Sequence, residues 1–270
     1  MLRSMYSAVS GMQGFQTKLD VIGNNIANVN TPGFKSGRVD FADVLSQTLS
    51  GGSAPATTGG TNAAQVGLGV RVVGIDNLFT QGAPQSTGVP TDLAINGDGF
   101  FVVTDSTSGG TQYLTRAGNF TLDASGNLVL PDGKIAMGYQ GSTQPSPPLG
   151  APSPVNVSSW VPAGGTLADS PDVQIGPDGA ISVMVDNGGT LSRQTVGYLA
   201  LATVANPGGL NKVGDTQFVV GTNSGPLKYH IPGSDNTGTL ASGYLEMSNV
   251  DLTREFTEMI VAQRGFDANS

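Results

Sequence analysis

Apolar residues recur in alternating steps of four and three along the first 29 positions of the chain. This spacing places them on one face of a helix and is typical of helices that pack against other helices. Asn28 and Asn30 are poor helix formers and Thr31-Pro32-Gly33 is a strong stop signal, so we expect the helix to end near Val29. The predicted packing positions are Met1, Met5, Ala8, Met12, Phe15, Leu19, Ile22, Ile26 and Val29.

A second helical pattern lies at the other end of the chain, where apolar residues repeat every seven positions. Ser248 precedes Asp251 by three residues, and this pair predicts a capped helix start. No stop signal occurs before Ser270, so we expect the natural helix to continue beyond it. The predicted packing positions are Leu245, Leu252, Phe256, Met259 and Phe266, with Gln263 at a further core-type position.

Short strands and turns are predicted between the two helices. The chain has 40 Gly and 16 Pro among 270 residues, so turns must be frequent. Asn96-Gly97-Asp98-Gly99 lies between two apolar runs and predicts a β-hairpin, and residues 195–203 predict one long strand. Residues 39–49 could form a short helix or an irregular extended arm. The predicted fold class is α+β: terminal helices paired as a coiled coil, with a mainly antiparallel β domain of many short strands.

These patterns also predict a domain organisation. We expect residues 1–30 and 245–270 to form a terminal helical domain and residues 31–69 to form a linker or arm. Within that arm, the Gly-rich segment 50–60 is either a flexible linker or a surface loop. We expect residues 70–244 to form a β-rich outer domain with a short Pro-rich insertion near 140–171.

The composition of the chain argues against nucleic-acid binding, membrane spanning and catalysis. The net charge of −8 and only 12 Lys and Arg residues leave no basic cluster for nucleic acid, and no apolar run is long enough to span a membrane. Cysteine is absent, and the single His230 lies in a Pro- and Gly-rich segment where a structural histidine is the simpler interpretation. The Asp-Gly turns lack calcium-loop spacing. We therefore predict no catalytic, cofactor or metal site, and a protein that is not an enzyme.

Two terminal segments resemble the axial proteins of the bacterial flagellum, the rod and hook family. LDVIGNNIANVNTPGFK at residues 19–35 resembles the N-terminal signature, and residues 243–270 resemble the C-terminal one. DLAINGDGFFVV from Asp92 and LTRAGNFTLDASGNLV from Leu114 resemble the shared β domain. The N-terminal motif consists of Asn24, Asn25, Asn28, Asn30, Pro32, Gly33 and Phe34.

Two segments favour the hook within this family. Residues 248–266 resemble the hook protein more than the distal rod, and GGTNAAQVGLG at residues 59–69 is similar to compact hook proteins of Gram-positive bacteria. Larger hook proteins insert an additional β domain, for which residues 140–171 leave little room. We therefore expect a hook subunit, with the distal rod as the alternative. A secreted adhesin or carbohydrate-binding β module is a more distant alternative from another class.

The resemblance implies a structural role outside the cell. Such subunits form a helical tube, with terminal helices at the inner wall and β domains outside, and the free termini are disordered before polymerisation. It implies a homopolymer, export by the flagellar apparatus without a cleaved signal peptide, and contacts with rod, hook-cap and hook–filament junction proteins. It also implies that the hook is a flexible joint, and we place its compliance in the Gly-rich arm. No nucleic acid and no membrane span are expected.

Overall fold

A computed structural model describes residues 2–52, 54, 59–107, 110–145, 150–161, 166–167, 172–186, 190–234 and 237–270. The chain divides into two compact units. The first comprises Met1–Val29, Ser36–Leu78 and Val250–Ser270, and the second comprises Asn30–Lys35 and Phe79–Asn249. The predicted fold class is confirmed, because helices lie at both ends and antiparallel strands lie between them.

Within the described residues, three α-helices and 22 strands follow one another. The helices are α1 (Leu2–Ala27), α2 (Val157–Trp160) and α3 (Leu252–Asn269). The strands are β1 (Gly37–Asp43), β2 (Ser46–Ser50), β3 (Ala64–Gly67), β4 (Val70–Asn77), β5 (Pro84–Ser86), β6 (Leu93–Asn96), β7 (Phe100–Thr104), β8 (Gln112–Thr115), β9 (Thr121–Leu122), β10 (Leu128–Val129), β11 (Ile135–Gln140), β12 (Ser153–Pro154), β13 (Thr166–Leu167), β14 (Gln174–Ile175), β15 (Ala180–Asp186), β16 (Leu191–Leu199), β17 (Leu201–Thr203), β18 (Asn211–Gly214), β19 (Gln217–Val219), β20 (Lys228–His230), β21 (Thr239–Ser242) and β22 (Tyr244–Glu246).

The first unit combines α1 and α3 with two antiparallel strand pairs, β1–β4 and β2–β3. Helix α1 lies against the β1–β4 pair, where the Val70 amide donates to Ser10 Oγ and the rings of Phe15 and Phe41 are 6.3 Å apart. The helical alternative for residues 39–49 is therefore wrong, because this segment pairs as strands. Residues 53 and 55–58 of the predicted Gly-rich linker lie outside the described residues.

The second unit contains a sheet of 14 strands whose main path runs β13-β15-β16-β11-β7-β8-β19-β18. Strand β7 is buried along its whole length, so apolar side chains cover both of its faces. Phe101 and Phe120 meet edge to face in this core, with ring centroids 5.3 Å apart. Burial of such side chains is the main source of stability in this unit.

Two predicted β elements differ from the structure. The predicted hairpin at Asn96–Gly99 is wrong, because β6 pairs with β21 whereas β7 pairs with β8, β11 and β17. The predicted long strand at 195–203 is divided at Ala200, and β16 and β17 have different partners. Both differences arise because strands far apart in sequence compete with the local turn for pairing.

The ends of the predicted helices also need correction. Leu245 lies in β22, which pairs with β5, so it is not a position of the C-terminal helix. Helix α3 is capped by Asp251, whose carboxylate accepts hydrogen bonds from the Thr253 and Arg254 amides, and not by Ser248. Helix α1 ends at Ala27, so Val29 lies two residues beyond it. Among the described residues, no helix has the length and apolar character needed to cross a membrane.

Candidate functional site: the paired terminal helices

Helices α1 and α3 pack side by side in opposite directions. Lys18 Nζ lies 3.2 Å from Glu258 Oε2, and Asn25 Nδ2 donates to Glu255 Oε1 over 3.3 Å. At the other end of the pair, Gly11 lies against the side chain of Asn269. The contacting positions are 11, 15, 18 and 25 on α1 and 255, 258, 265 and 269 on α3, so each helix presents a seam with heptad-like steps.

On the α3 side, small and polar residues form this contact. A Cβ atom at Gly265 would lie 2.6 Å from Cζ of Phe15, so any larger residue there would force the ring or the helix to move. Ala262, one turn away on α3, is fully buried. Large apolar side chains have no room at these two positions, and the seam is consequently narrow.

Two glutamates of α3 differ in their electrostatic environment. Burial raises the pKa of Glu255, although the hydrogen bond from Asn25 partly offsets this effect. Burial also acts to raise the pKa of Glu258, but hydrogen bonds from Arg254 and Lys18 outweigh it and the pKa is lowered. Because Lys18 and Glu258 are both partly exposed, their ion pair contributes at most about 1 kcal/mol. It sets the register of the helices more than their stability.

The residues predicted to pack the two helices fall into buried, half-buried and exposed groups. Ile22 is buried, with 3% exposure, and Phe15 contacts Gly265. Met5 and Phe256, however, are 63% and 50% exposed. Leu252 is also exposed, while Met12, Leu19, Ile26, Met259 and Phe266 are half-buried.

Helix α3 has an exposed apolar face. Leu252, Phe256 and Ile260 are spaced by four residues along α3 and are all exposed; we call these three residues the outer face. Ile260, at 59% exposure, does not belong to the heptad pattern, although its spacing from Leu252 and Phe256 could have revealed it. Sequence reasoning also missed other exposed apolar residues of the two helices: Tyr6, Val9 and Val261.

The amides of the N-terminal motif surround the end of α1. Asn25 is buried; its side chain donates to the Gly37 carbonyl and accepts from the Gly37 amide, in addition to its bond with Glu255. Asn28 donates to the Asn24 carbonyl over 2.9 Å. Asn25 and Asn28 therefore make the side-chain bonds to backbone that a tight helix junction requires, whereas Asn24 and Asn30 are exposed.

The remaining motif residues belong to the second unit. Gly33 has φ +71°, and a Cβ atom there would lie 2.4 Å from the Ala117 amide nitrogen, so the position requires glycine. The ring of Phe34 is buried beneath Lys212, whose Nζ is 4.1 Å from the ring centroid. Pro32 is half-buried beside this segment. The motif thus contributes its first part to one unit and its last part to the other.

Comparison with known proteins identifies the family. The description "Flagella basal body rod protein" matches residues 5–35, "Flagellar hook protein FlgE/F/G D1 domain" matches residues 94–192, and "Flagellar basal body rod FlgEFG protein C-terminal" matches residues 241–270. The flagellar basal-body rod protein FlgG of Bacillus subtilis is 50% identical over 272 residues, covering 100% of this chain and 93% of that protein. The chain belongs to the flagellar rod and hook family.

Rod and hook relatives within this family align differently. The flagellar hook protein FlgE of Borreliella burgdorferi is 30% identical over 430 residues, covering 100% of this chain and 96% of that protein. FlgE of Helicobacter mustelae is 51% identical, but over 141 residues that cover 52% of this chain and 31% of that protein. Similarity over the full length therefore favours the rod alternative over the hook expected from two short segments.

The antiparallel register of α1 and α3 can be tested by a disulfide, because the natural chain has no cysteine. A Cβ atom at Gly11 would lie 3.3 Å from Cγ of Asn269, which is close to the geometry of a disulfide. We expect the double variant Gly11→Cys, Asn269→Cys to oxidise within one subunit. Gel mobility without reductant and intact mass would measure the yield.

A matched control moves one cysteine to the opposite end of α3. The variant Gly11→Cys, Thr253→Cys should stay reduced within the subunit. Equal intramolecular yields from both pairs, or only intermolecular disulfides from the first, would refute the proposed helix register.

Proposed function

We propose that this chain is a structural subunit of the flagellar distal rod. The observation that carries the proposal is the alignment with the B. subtilis rod protein, which needs 272 positions for a chain of 270 residues. The B. burgdorferi hook alignment runs over 430 positions, so that hook protein contains long segments which this chain lacks. A compact chain of this length fits a rod subunit better, and the hook remains the second candidate.

The proposed mechanism of assembly is burial of the outer face between neighbouring copies. The residues of α3 that face α1 are small or polar, and Leu252, Phe256 and Ile260 are exposed. Full burial of a fully exposed side chain of this kind is worth about 1.5–3 kcal/mol, and because these three are 39–59% exposed, covering them supplies roughly half of that per residue. The exposed Met5 of α1 provides a further apolar contact.

Assembly and helix order are coupled in this proposal. Helix α3 has 18 residues, and most of the stability of such a helix in a protein comes from packing of its apolar face and not from intrinsic propensity. Contacts with neighbouring copies would add stability to both terminal helices. We further propose that the half-buried motif positions Met12, Leu19, Ile26, Met259 and Phe266 become fully covered in the polymer.

The proposed role places the protein in the flagellar axis, as a homopolymer that transmits torque through contacts between subunits. Export without a cleaved signal peptide and contacts with neighbouring axial proteins are parts of the same proposal. The domain organisation expected from the sequence also stays a proposal, with residues 31–69 as an arm that contains β1, β2 and β3.

Replacement of the outer face by polar residues should prevent assembly. We expect the triple variant Leu252→Gln, Phe256→Gln, Ile260→Gln to raise the critical concentration for polymerisation more than tenfold, because its apolar contact area is lost. Sedimentation of polymer across a concentration series would measure this value. The subunit fold should remain, since all three side chains are exposed.

The control for this experiment changes three other exposed positions of α3. The variant Thr253→Gln, Thr257→Gln, Arg264→Gln should polymerise like the natural chain. Polymerisation of the outer-face variant at the natural critical concentration would contradict the assembly mechanism.

Polymer shape separates the rod from the hook. Electron microscopy of polymer grown from the full chain should show straight tubes if the subunit builds a rod, because a rod is a stiff shaft. Curved tubes would support the hook alternative and contradict the rod proposal. Failure to form any tube would contradict both.

A further inference from the structure

The chain passes between the two units at four places along the sequence. These crossings follow Val29, Lys35, Leu78 and Asn249. The four crossings therefore border three segments of the second unit: residues 30–35, the start of 79–249, and its end. Each of these segments contributes to one buried cluster of charges within the second unit.

Glu246 is the centre of this cluster. Its Oε1 accepts hydrogen bonds from Lys35 Nζ over 2.5 Å and from the Gly82 amide over 2.9 Å. Its Oε2 lies 3.2 Å from Arg116 Nη1, and its backbone carbonyl accepts from the Gly33 amide over 2.8 Å. One residue thus binds three separate parts of the chain: residues 33–35, Gly82 and Arg116.

Further hydrogen bonds extend the cluster to the neighbouring crossings. Lys35 Nζ also donates to the Thr80 carbonyl over 2.8 Å, and Asn249 Nδ2 donates to Thr80 Oγ1 over 2.9 Å. The Met247 amide donates to the Ala83 carbonyl. The two ends of residues 79–249, where the chain enters and leaves the second unit, are consequently tied to each other within that unit.

The cluster is almost inaccessible to water. The side chains of Lys35 and Glu246 are 0% and 1% exposed, and that of Arg116 is 4% exposed. Burial lowers the pKa of Lys35, although attraction to Glu246 partly offsets this effect. Removing charges from water is costly, and a buried ion pair is often less stabilising than apolar residues of similar volume. Retention of three charges here therefore suggests a positioning role.

We propose that Lys35, Arg116 and Glu246 form a clamp that fixes the segments of the second unit from which the chain leaves for the first. A buried ion cluster has directional bonds, so it holds these segments in one register, which apolar packing alone does not specify. Force that enters the second unit along the covalent chain reaches the clamp first. This mechanical use rests on the proposed structural function, whereas the clamp itself does not.

Hydrogen exchange in the unpolymerised full chain tests the clamp. Glu246→Gln alone leaves two buried cations without a counter-charge and is expected to impair folding. The decisive variant is therefore Lys35→Met, Arg116→Met, Glu246→Gln, which removes all three charges and keeps similar volumes. We expect it to fold, with exchange at the Gly33, Gly82 and Met247 amides at least tenfold faster than in the natural chain.

Two comparisons make this result specific. Amides of residues 101–104 in β7 should exchange at their natural rate in the same variant, because they lie in the apolar core; Phe100 is left out because its ring contacts Arg116. Arg193 and Asp172 form an ion pair with the same 2.5 Å separation but partly exposed side chains, so Asp172→Asn should leave exchange at Gly33, Gly82 and Met247 unchanged.

Unchanged exchange at these three amides in a folded charge-free variant would overturn the clamp, and so would loss of folding in β7 itself. Because the measurement uses unpolymerised protein, a failure of the natural chain to form tubes would contradict the proposed function and leave this result intact.

Discussion

The close approach of α1 and α3 is the constraint on which the proposed assembly depends. Gly265 against the ring of Phe15, and the buried Ala262, leave no space for larger side chains at these two positions of α3. Asn25 and Lys18 fix its register through polar bonds to α3. The outer-face residues Leu252, Phe256 and Ile260 are instead exposed, and in the proposed assembly they are available to other copies of the chain.

The second unit differs from the first in how its apolar side chains are buried. Its strands enclose a continuous apolar core around Phe101 and Phe120, so it does not depend on neighbours for burial. Among the described residues of this unit, the buried charged side chains meet at one point, Glu246 with Lys35 and Arg116, beside the places where the chain enters and leaves. A self-sufficient β unit and a helical unit with an uncovered apolar face suit a subunit that gains stability on assembly.

Local sequence patterns predicted the elements well and their contacts less well. The heptad steps before Pro32 identified α1, and the seven-residue repeat near the other end identified α3. The turn signals between apolar runs identified most long strands. The packing of Leu252 and Phe256 against other copies stays a prediction, since both are exposed in the subunit, whereas heptad analysis missed the small residues Ala262 and Gly265 because it selects the most apolar stripe. The pairing of β6 with β21 and the ion pair between Lys35 and Glu246 join residues far apart in sequence, which no local pattern specifies.

For the residues of the N-terminal motif, too, local sequence patterns did not predict the contacts. Pro32 and Gly33 were recognisable as a stop signal for the helix. The position of Phe34 beneath Lys212 and the hydrogen bonds between Asn25 and Gly37 depend on the folded chain. The family was nevertheless accessible from the sequence, because both terminal signatures and the shared β segments are present in order. The preference for the hook rested on two short segments, and full-length similarity to a rod protein outweighs it.

The most direct test of the central claim is hydroxyl-radical footprinting of α1 and α3 before and after polymerisation. The assembly mechanism predicts that oxidation of Leu252, Phe256 and Ile260 falls at least fivefold in the polymer, while oxidation of the already buried Ile22 stays low in both states. Equal oxidation of the outer face in subunit and polymer would show that neighbouring copies do not cover it, and would contradict the account.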